Sequence, residues 1–281
     1  MTAISLNQVT IHFDKKQVLD HINLTIPKGE IFGLLGPSGA GKTTMIKILI
    51  GQLTATSGTS SINGIPSDAL CGTDYKKFGI MMDNFGVYER FNCFENLKVF
   101  AKIYGISNSE IYQALEQVGL KDAAKTPASG LSKGMKSRLR LARVLMIQPE
   151  VLFLDEPTSG LDPATAIEIQ ELILKEREKG KTVFLTTHNM AEAEKLCNHV
   201  ALLNEGSIIE YGEPKEICRR YNHQKRIQLH LTDGSDIELP HDTNAGQTLS
   251  DYFNKGIIET IHSTEPNLET VFMELTGRTL I

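Results

Sequence analysis

A glycine-rich segment that ends in lysine and threonine is the strongest chemical signal in the sequence. Residues 36–43 read Gly-Pro-Ser-Gly-Ala-Gly-Lys-Thr and fit the pattern G-x-x-x-x-G-K-[ST]. The apolar run 31–35 precedes this segment and the helical pattern 44–49 follows it, as the pattern requires. Glycines there let backbone N–H groups surround phosphate oxygens at a helix N-terminus. The segment, called the phosphate loop below, predicts that Lys42 reaches the β- and γ-phosphates and that Thr43 binds Mg²⁺.

Two acidic residues end an apolar run further along the chain. Residues 151–154 read Val-Leu-Phe-Leu, and Asp155 and Glu156 follow them. A buried strand that ends in acids places them at the carboxyl edge of a parallel sheet, where ligands of such sheets bind. Asp155 is then the predicted partner of Mg²⁺, directly or through water, and Glu156 can polarise an attacking water. The alternative is a strand that ends in a solvated acidic turn, and the pairing with the phosphate loop disfavours it.

The elements that would position these residues are short strands alternating with helices. Apolar runs at 31–35, 151–154 and 182–185 are bounded by polar or turn residues, which is typical of buried parallel strands. Amphipathic segments lie between them, so the fold class is predicted to be α/β, with a mostly parallel sheet covered on both faces. Residues 71–130 are richer in aromatic and polar residues, with a helical pattern over 92–118. We expect this part to be a helical insertion into the sheet domain.

The pattern of predicted strands and helices changes after about residue 220. Alternating runs at 226–231 and 236–239 flank Thr232-Asp233-Gly234-Ser235, which predicts a β-hairpin. The patterns that follow are a helix, a strand and a helix, at 247–254, 257–262 and Pro266–Leu275. The end of the chain is therefore predicted to be a small α+β appendix.

Composition excludes several classes of protein. The 281 residues are 41% hydrophobic and 22% charged, which is typical of a globular protein and argues against bulk disorder. With 29 basic and 34 acidic residues the net charge is −5, which argues against a nucleic-acid partner. No run approaches about 18 apolar residues, and the N-terminus does not have the pattern of a signal peptide. The four cysteines lack metal-ligand spacing and are expected to be reduced cytosolic thiols.

The order of further motifs points to a family. Leu131-Ser132-Lys133-Gly134-Met135 lies between the phosphate loop and the acidic strand, and Ser159-Gly160-Leu161-Asp162 and then His188 follow. This combination resembles the ATP-binding subunit of an ABC transporter, whose signature reads L-S-G-G-Q. The resemblance implies a P-loop NTPase fold with a parallel-sheet core, an N-terminal antiparallel part and a helical insertion. It also implies an ATP-binding domain over 1–220, with its helical subdomain at about 84–148, and an accessory α+β domain over 221–281.

The resemblance assigns roles to individual residues. The implied ATP-binding residues are Phe13, which would stack on adenine, and Gly36, Pro37, Ser38, Gly39, Ala40, Gly41, Lys42, Thr43 and Thr44. The implied catalytic residues are Lys42, Glu156 and His188, the last as a switch that contacts the γ-phosphate. The implied Mg²⁺ ligands are Thr43, Asp83 and Asp155. In the family two subunits stack head to tail, and the signature of one contacts ATP on the other. The signature loop here is Leu131, Ser132, Lys133, Gly134 and Met135, on a helix beginning near Met135, and Asp162 lies in the loop that bridges the dimer.

Two positions depart from the family pattern. Asp83 stands where the family carries a glutamine that touches Mg²⁺ and the attacking water, and Asp is shorter and charged. Lys133 replaces the first of the paired glycines of the signature and loses the backbone freedom of glycine. Neither departure removes Lys42, Asp155, Glu156 or His188.

The resemblance also implies the partners. Residues 83–97 resemble the segment that docks the membrane subunit, most closely in the ABC-2 class of antibiotic, bacteriocin and sodium exporters, and residues 265–277 resemble the tail of that class. We therefore expect an ATPase at the cytoplasmic face of the cell membrane that powers export through a separate transmembrane permease, as a homodimer or heterodimer of ATP-binding subunits. One alternative is an ABC ATPase without a membrane partner, as in translation or DNA repair. The other is a regulator that binds ATP without turning it over.

Overall fold

The structure, a computed structural model, describes residues 1–82, 86–223, 225–240 and 242–277. Asp83 lies outside the described residues. The chain divides into two compact units, of which the first covers residues 1–213 and the second begins at Pro214. This division precedes the predicted boundary after residue 220, because the helix Pro214–Arg220 groups with the second unit.

The strands of the first unit are β1 (Thr2–Phe13), β2 (Lys16–Pro27), β3 (Ile31–Leu35), β4 (Ser57–Ile62), β5 (Ile65–Pro66), β6 (Phe78–Met81), β7 (Val151–Asp155), β8 (Thr182–Thr187), β9 (His199–Asn204) and β10 (Ser207–Gly212). Its α-helices are α1 (Lys42–Leu49), α2 (Cys93–Tyr104), α3 (Asn108–Gln117), α4 (Lys133–Leu145), α5 (Pro163–Glu178) and α6 (Met190–Leu196). Short 3-10 helices lie at Ser67–Ala69, Asp74–Lys77 and Ala128–Gly130.

The central sheet has the strand order β10-β9-β3-β8-β7-β6 among the described residues. Neighbouring strands from β9 to β6 are parallel, and β10 is antiparallel to β9. Every residue of β3, β7 and β8 is buried, as expected of strands with both faces covered. The predicted α/β class with a mostly parallel sheet is confirmed. The carboxyl ends of β3, β8 and β7 lie side by side, with Leu35 opposite Thr187 and Asp155 opposite Thr186.

The edge strand β6 corrects one expectation. Residues 71–130 were expected to be a helical insertion, but Phe78–Met81 pair with Val151–Leu154 in the central sheet. Phe78 and Met81 are buried there. The helical insertion therefore begins after β6.

A second, antiparallel sheet with the order β2-β1-β4-β5 is built from the beginning of the chain, as the resemblance implied. Its apolar side chains share one core with β3 and α1.

The helical pattern over 92–118 forms two helices, α2 and α3. Asn92 and Ser107 each begin a helix with a capping box, whose partners are Glu95 and Glu110. Gly105 ends α2 with a φ of 71°, a conformation that favours glycine. The turn between the two boxes thus separates α2 from α3.

The second unit contains α7 (Pro214–Arg220), β11 (Arg226–Leu231), β12 (Asp236–Pro240), α8 (Thr243–Lys255), β13 (Ile258–Ser263) and α9 (Leu268–Thr276). The predicted hairpin is confirmed, since β11 pairs with β12, and β13 adds to the other side of β11. The last helix begins at Leu268 rather than Pro266, because the Asn267 side chain accepts from the N–H of Thr270. In the described part of the chain, no helix is both long and apolar enough to cross a membrane.

Candidate active site

The phosphate loop joins the carboxyl end of β3 to the N-terminus of α1. Gly41 precedes the helix with a φ of 113°, and a Cβ at this position would lie 3.0 Å from the carbonyl oxygen of Val18. Glycine is therefore required here both by the backbone conformation and by the close approach of β2. No side chain caps α1, so its first N–H groups and its positive dipole end can act on an anion in the loop.

Lys42 is 7% exposed and points back into the phosphate loop. Its Nζ donates to the carbonyl oxygens of Gly36 at 2.6 Å and Pro37 at 3.2 Å. It also lies 3.4 Å from Oε1 of Glu156. One buried ammonium group thus connects the loop after β3 with the end of β7.

Thr43 and Asp155 are hydrogen-bonded to each other beside the lysine. Thr43 Oγ1 donates to Asp155 Oδ2 at 2.9 Å, and the hydroxyl of Thr186 donates to the other carboxylate oxygen. Asp155 is 4% exposed. The described residues contain no group of three or more His, Cys, Asp or Glu side chains able to hold a metal ion. One hydroxyl and one carboxylate would suit a cation that completes its shell with water and phosphate, as Mg²⁺ does.

Glu156 directly follows β7 in a left-handed backbone conformation, with a φ of 49°. Its N–H donates to the carbonyl oxygen of Thr186 at 3.0 Å, which holds the end of β7 against β8. Its Oε2 lies 2.8 Å from Nδ1 of His188, which follows β8. A left-handed conformation is costly for a residue other than glycine, and such strain concentrates at functional sites.

The signature loop leads into α4. Ser132 caps this helix, since its Oγ accepts from the N–H of Met135 at 3.2 Å. The helix therefore begins at Lys133, two residues before the predicted start at Met135. Leu131 is buried, whereas Ser132 is exposed.

The signature loop packs against the loop that carries Asp162 in the same chain. A Cβ on Gly134 would lie 2.5 Å from Cγ2 of Thr165, so this close contact requires glycine. Thr165 donates to Asp162 through its N–H at 3.0 Å and its hydroxyl at 2.7 Å, and these bonds lower the pKa of Asp162. The Lys133 ammonium group lies against Gly160. The two loops predicted to face a partner subunit are therefore held together.

The structure brings together five of the predicted site residues, from the ends of three adjacent parallel strands: Lys42, Thr43, Asp155, Glu156 and His188. Phe13 lies elsewhere, at the end of β1, with 45% of its surface exposed. Thr44 lies in the first turn of α1 and is half-buried.

Sequence reasoning missed Thr186, whose hydroxyl contacts Asp155 and whose carbonyl accepts from Glu156. The available signal was a pair of threonines at the end of an apolar strand. Hydroxyls are out of place in such a strand unless they contact a polar group there.

Comparisons of the sequence and of the structure with known proteins agree with one another. The family model described as "ABC transporter" matches residues 19–159. The chain is 40% identical over 265 residues to a fluoroquinolones export ATP-binding protein of Mycobacterium tuberculosis, covering 92% of this chain and 87% of that protein. It is 32% identical over 302 residues to the linearmycin resistance ATP-binding protein of Bacillus subtilis, covering 95% and 96%.

Solved structures show the same similarity. One is the ATP-binding subunit of an ABC transporter, with a TM-score of 0.69 and 27% identity, covering 78% of this chain and 93% of that one. Another is a dimeric ATP-binding cassette in a post-hydrolysis state with bound ADP and Pi. Its TM-score is 0.68 with 26% identity, and the match covers 75% and 98% of the two chains.

Proposed function

Since this chain belongs to the ABC transporter family as an ATP-binding and ATP-hydrolysing subunit, we propose that it powers export through a separate transmembrane partner. The observation that carries the proposal is the convergence of Lys42, Asp155, Glu156 and His188 at one edge of the central sheet. Ligands of open α/β sheets bind at this edge.

In the proposed binding mode, the phosphate loop surrounds the β- and γ-phosphates of ATP. The amides at the start of α1 and the Lys42 ammonium group supply the donors. Phosphate oxygens then replace the carbonyl oxygens of Gly36 and Pro37 as partners of Lys42. Phe13 offers its exposed ring to the adenine.

We assign Mg²⁺ to the pair Thr43 and Asp155, with Asp83 as a further oxygen ligand outside the described residues. The metal, when bound, neutralises charge on the β- and γ-phosphates. The buried Asp155 carboxylate suits this role because the Thr186 hydroxyl holds one of its oxygens in place.

Glu156 acts as the general base in this proposal. Its carboxylate accepts a proton from a water whose oxygen attacks the γ-phosphorus, and ADP departs as the bond to the γ-phosphoryl group breaks. His188 holds the carboxylate through the 2.8 Å contact at Nδ1, which leaves Nε2 available to the γ-phosphate.

Two ATP-binding subunits would pair head to tail, as a homodimer or heterodimer. The signature loop of each subunit would then offer Ser132 and the N-terminus of α4 to ATP on the other. The contact of Gly134 with Thr165 supports this arrangement, because it holds the signature loop and Asp162 as one surface.

A groove beside β6 supports a transmembrane partner. It has a volume of about 220 Å³ and is lined by Tyr75, Phe78, Phe100, Tyr104 and Arg143, among others. The Arg143 guanidinium group lies 4.8 Å from the centre of the Phe100 ring, and burial lowers its pKa. We propose that a short amphipathic helix of the permease docks here, with an acidic residue placed to compensate Arg143.

Export rather than import is the proposed direction, at the cytoplasmic face of the membrane. It rests on relatives named for fluoroquinolone export and linearmycin resistance.

The test is to search the adjacent reading frames for a product with about six apolar stretches of 20 residues each, and to co-express the chain with it. The complex, reconstituted in vesicles, should hydrolyse ATP faster than the isolated chain, and Arg143→Glu should release the permease while the isolated chain keeps its basal ATPase rate. A wild-type chain that fails to co-purify with the permease would contradict the partner proposal.

A further inference from the structure

A buried acidic side chain lies outside the group of residues assigned so far. Glu192 belongs to α6 and is 3% exposed. Its Oε1 accepts from the hydroxyl of Thr158 at 2.7 Å, and its Oε2 accepts from the hydroxyl of Thr187 at 2.9 Å. Gln170 of α5 adds a longer contact to Oε1, at 3.4 Å. Both oxygens of this carboxylate are therefore engaged.

The two threonines belong to the segments that carry the proposed base and switch. Thr158 lies two residues after Glu156, and Thr187 directly precedes His188. Glu192 thus connects the same two segments whose side chains, Glu156 and His188, lie 2.8 Å apart.

The loop around His188 is closed by further hydrogen bonds. The N–H of Asn189 donates to Thr187 Oγ1 at 3.0 Å, and Asn189 Oδ1 accepts from the N–H of Glu192 at 3.1 Å. The position of the Glu192 backbone is therefore determined by the same turn that its side chain contacts.

Packing alone does not determine where these segments lie. A cavity of about 410 Å³ lies beside them, lined by Glu156, Thr158, Gly160, His188 and Asn189, among others. A segment next to a cavity has fewer neighbours to hold it, so its directional hydrogen bonds matter more.

Burying the Glu192 carboxylate also costs free energy, because the charge loses its contact with water. Among the described residues Glu192 forms no ion pair, and Lys195 Nζ donates to Gln170 Oε1 at 3.1 Å rather than to Glu192. Hydroxyl and amide donors must therefore compensate the loss of water around the charge. A neutral residue would fill the same space at lower cost, which suggests that the charge serves the two hydroxyl contacts.

We propose that Glu192 is a positioning residue that sets the distance between Glu156 and His188. This inference rests on the proposed roles of those two residues. Without Glu192, the loop after Glu156 and the turn at His188 move independently, and the Glu156 carboxylate loses the contact with Nδ1 of His188 that aligns it with the attacking water.

The expected effect is on turnover rather than on ATP binding. A misplacement of about 1 Å can cost a factor of about 100 in rate, so we expect kcat to fall about 10- to 100-fold in Glu192→Ala. The KM for ATP should change less than about twofold, because the phosphate loop is untouched. Glu192→Gln keeps the shape and one acceptor oxygen, so its loss should be smaller, about 3- to 10-fold.

The decisive experiment is a double-mutant cycle of Glu192→Ala with His188→Ala in single-turnover ATP hydrolysis by the full chain. If Glu192 acts through His188, the double variant should be about as slow as His188→Ala alone, so the two losses do not multiply. Multiplying losses would show a general structural role and overturn the inference. Should Glu192→Ala fail to fold, Glu192→Gln enters the same cycle.

The matched control is Glu171→Gln, an exposed glutamate on the neighbouring helix α5, which should leave the rate unchanged. Full hydrolysis by both His188→Ala and Glu156→Gln would refute the proposed function itself. Loss of hydrolysis in those two, with kcat retained within about twofold in Glu192→Ala, would overturn only the role of Glu192.

Discussion

Replacing Glu156 with glutamine tests the assignment of the general base. The change preserves the size of the side chain and its left-handed backbone, since glutamine meets the same cost as glutamate at a φ of 49°. The amide oxygen can stay near Lys42 and the amide nitrogen can donate to Nδ1 of His188, so both contacts of the carboxylate have a counterpart. The side chain loses its negative charge and its ability to accept a proton.

General-base catalysis contributes a factor of about 10²–10⁴, so the barrier to hydrolysis should rise by about 3–5 kcal/mol. ATP should bind at least as tightly, because Glu156→Gln removes a negative charge close to Lys42 and the phosphates. Binding without hydrolysis should allow a dimer to accumulate in ATP and Mg²⁺.

The assay is phosphate release at saturating ATP, combined with size-exclusion chromatography in the same buffer. Glu178→Gln, an exposed residue at the end of α5, is the control and should behave as wild type. Hydrolysis by Glu156→Gln above about a tenth of the wild-type rate would be a loss of less than about 1.4 kcal/mol, and Glu156 would then not be the base.

Lys42→Ala removes the charge that contacts the phosphates and should weaken ATP binding at least about tenfold in calorimetry, whereas unchanged affinity would contradict its role. Burial opposes ionisation of Glu176, but hydrogen bonds from Lys179 and Lys181 outweigh it and lower its pKa below 4.5. Glu176→Gln should therefore cost about 1–2 kcal/mol of unfolding free energy at pH 7, and the difference should vanish in denaturation curves as the pH falls from about 4.5 through the folded-state pKa. A chain that ends at Glu213 should fold and keep its affinity for ATP, since the described residues of the site precede this point; aggregation of that chain would show that the second unit is needed.

Local patterns in the sequence were sufficient for much of the fold. The apolar runs at β3, β7 and β8 predicted buried parallel strands because both faces of such strands must be apolar. The motif at residues 36–43 predicted its loop because glycine and lysine are required there by the geometry of a phosphate site. The turn Asp233-Gly234 predicted the hairpin of β11 and β12, because this pair adopts tight hairpin turns readily.

Other features depend on residues far apart in the chain. Phe78–Met81 lies in a stretch of mixed composition, and only pairing with β7 makes it a strand. Helix α4 begins at Lys133 rather than at Met135, because the Ser132 hydroxyl accepts from the N–H of Met135 and caps the helix. The spacing of residues in the sequence did not reveal this cap.

The candidate site also combines features that local sequence predicts with features that only the tertiary structure shows. The sequence by itself determined which chemical groups are present, because motif spacing identifies Lys42, Glu156 and His188 one at a time. Their contacts were decided by strand order, since β3, β8 and β7 become neighbours although they are distant in the chain. Glu192 is the extreme case, because its charge is typical of an exposed helix position. Only the packing of α6 beside β8 and the loop after β7 buries it against two hydroxyls. The physical reason is that periodicity records which side of an element is apolar, whereas a buried polar contact depends on which elements become neighbours.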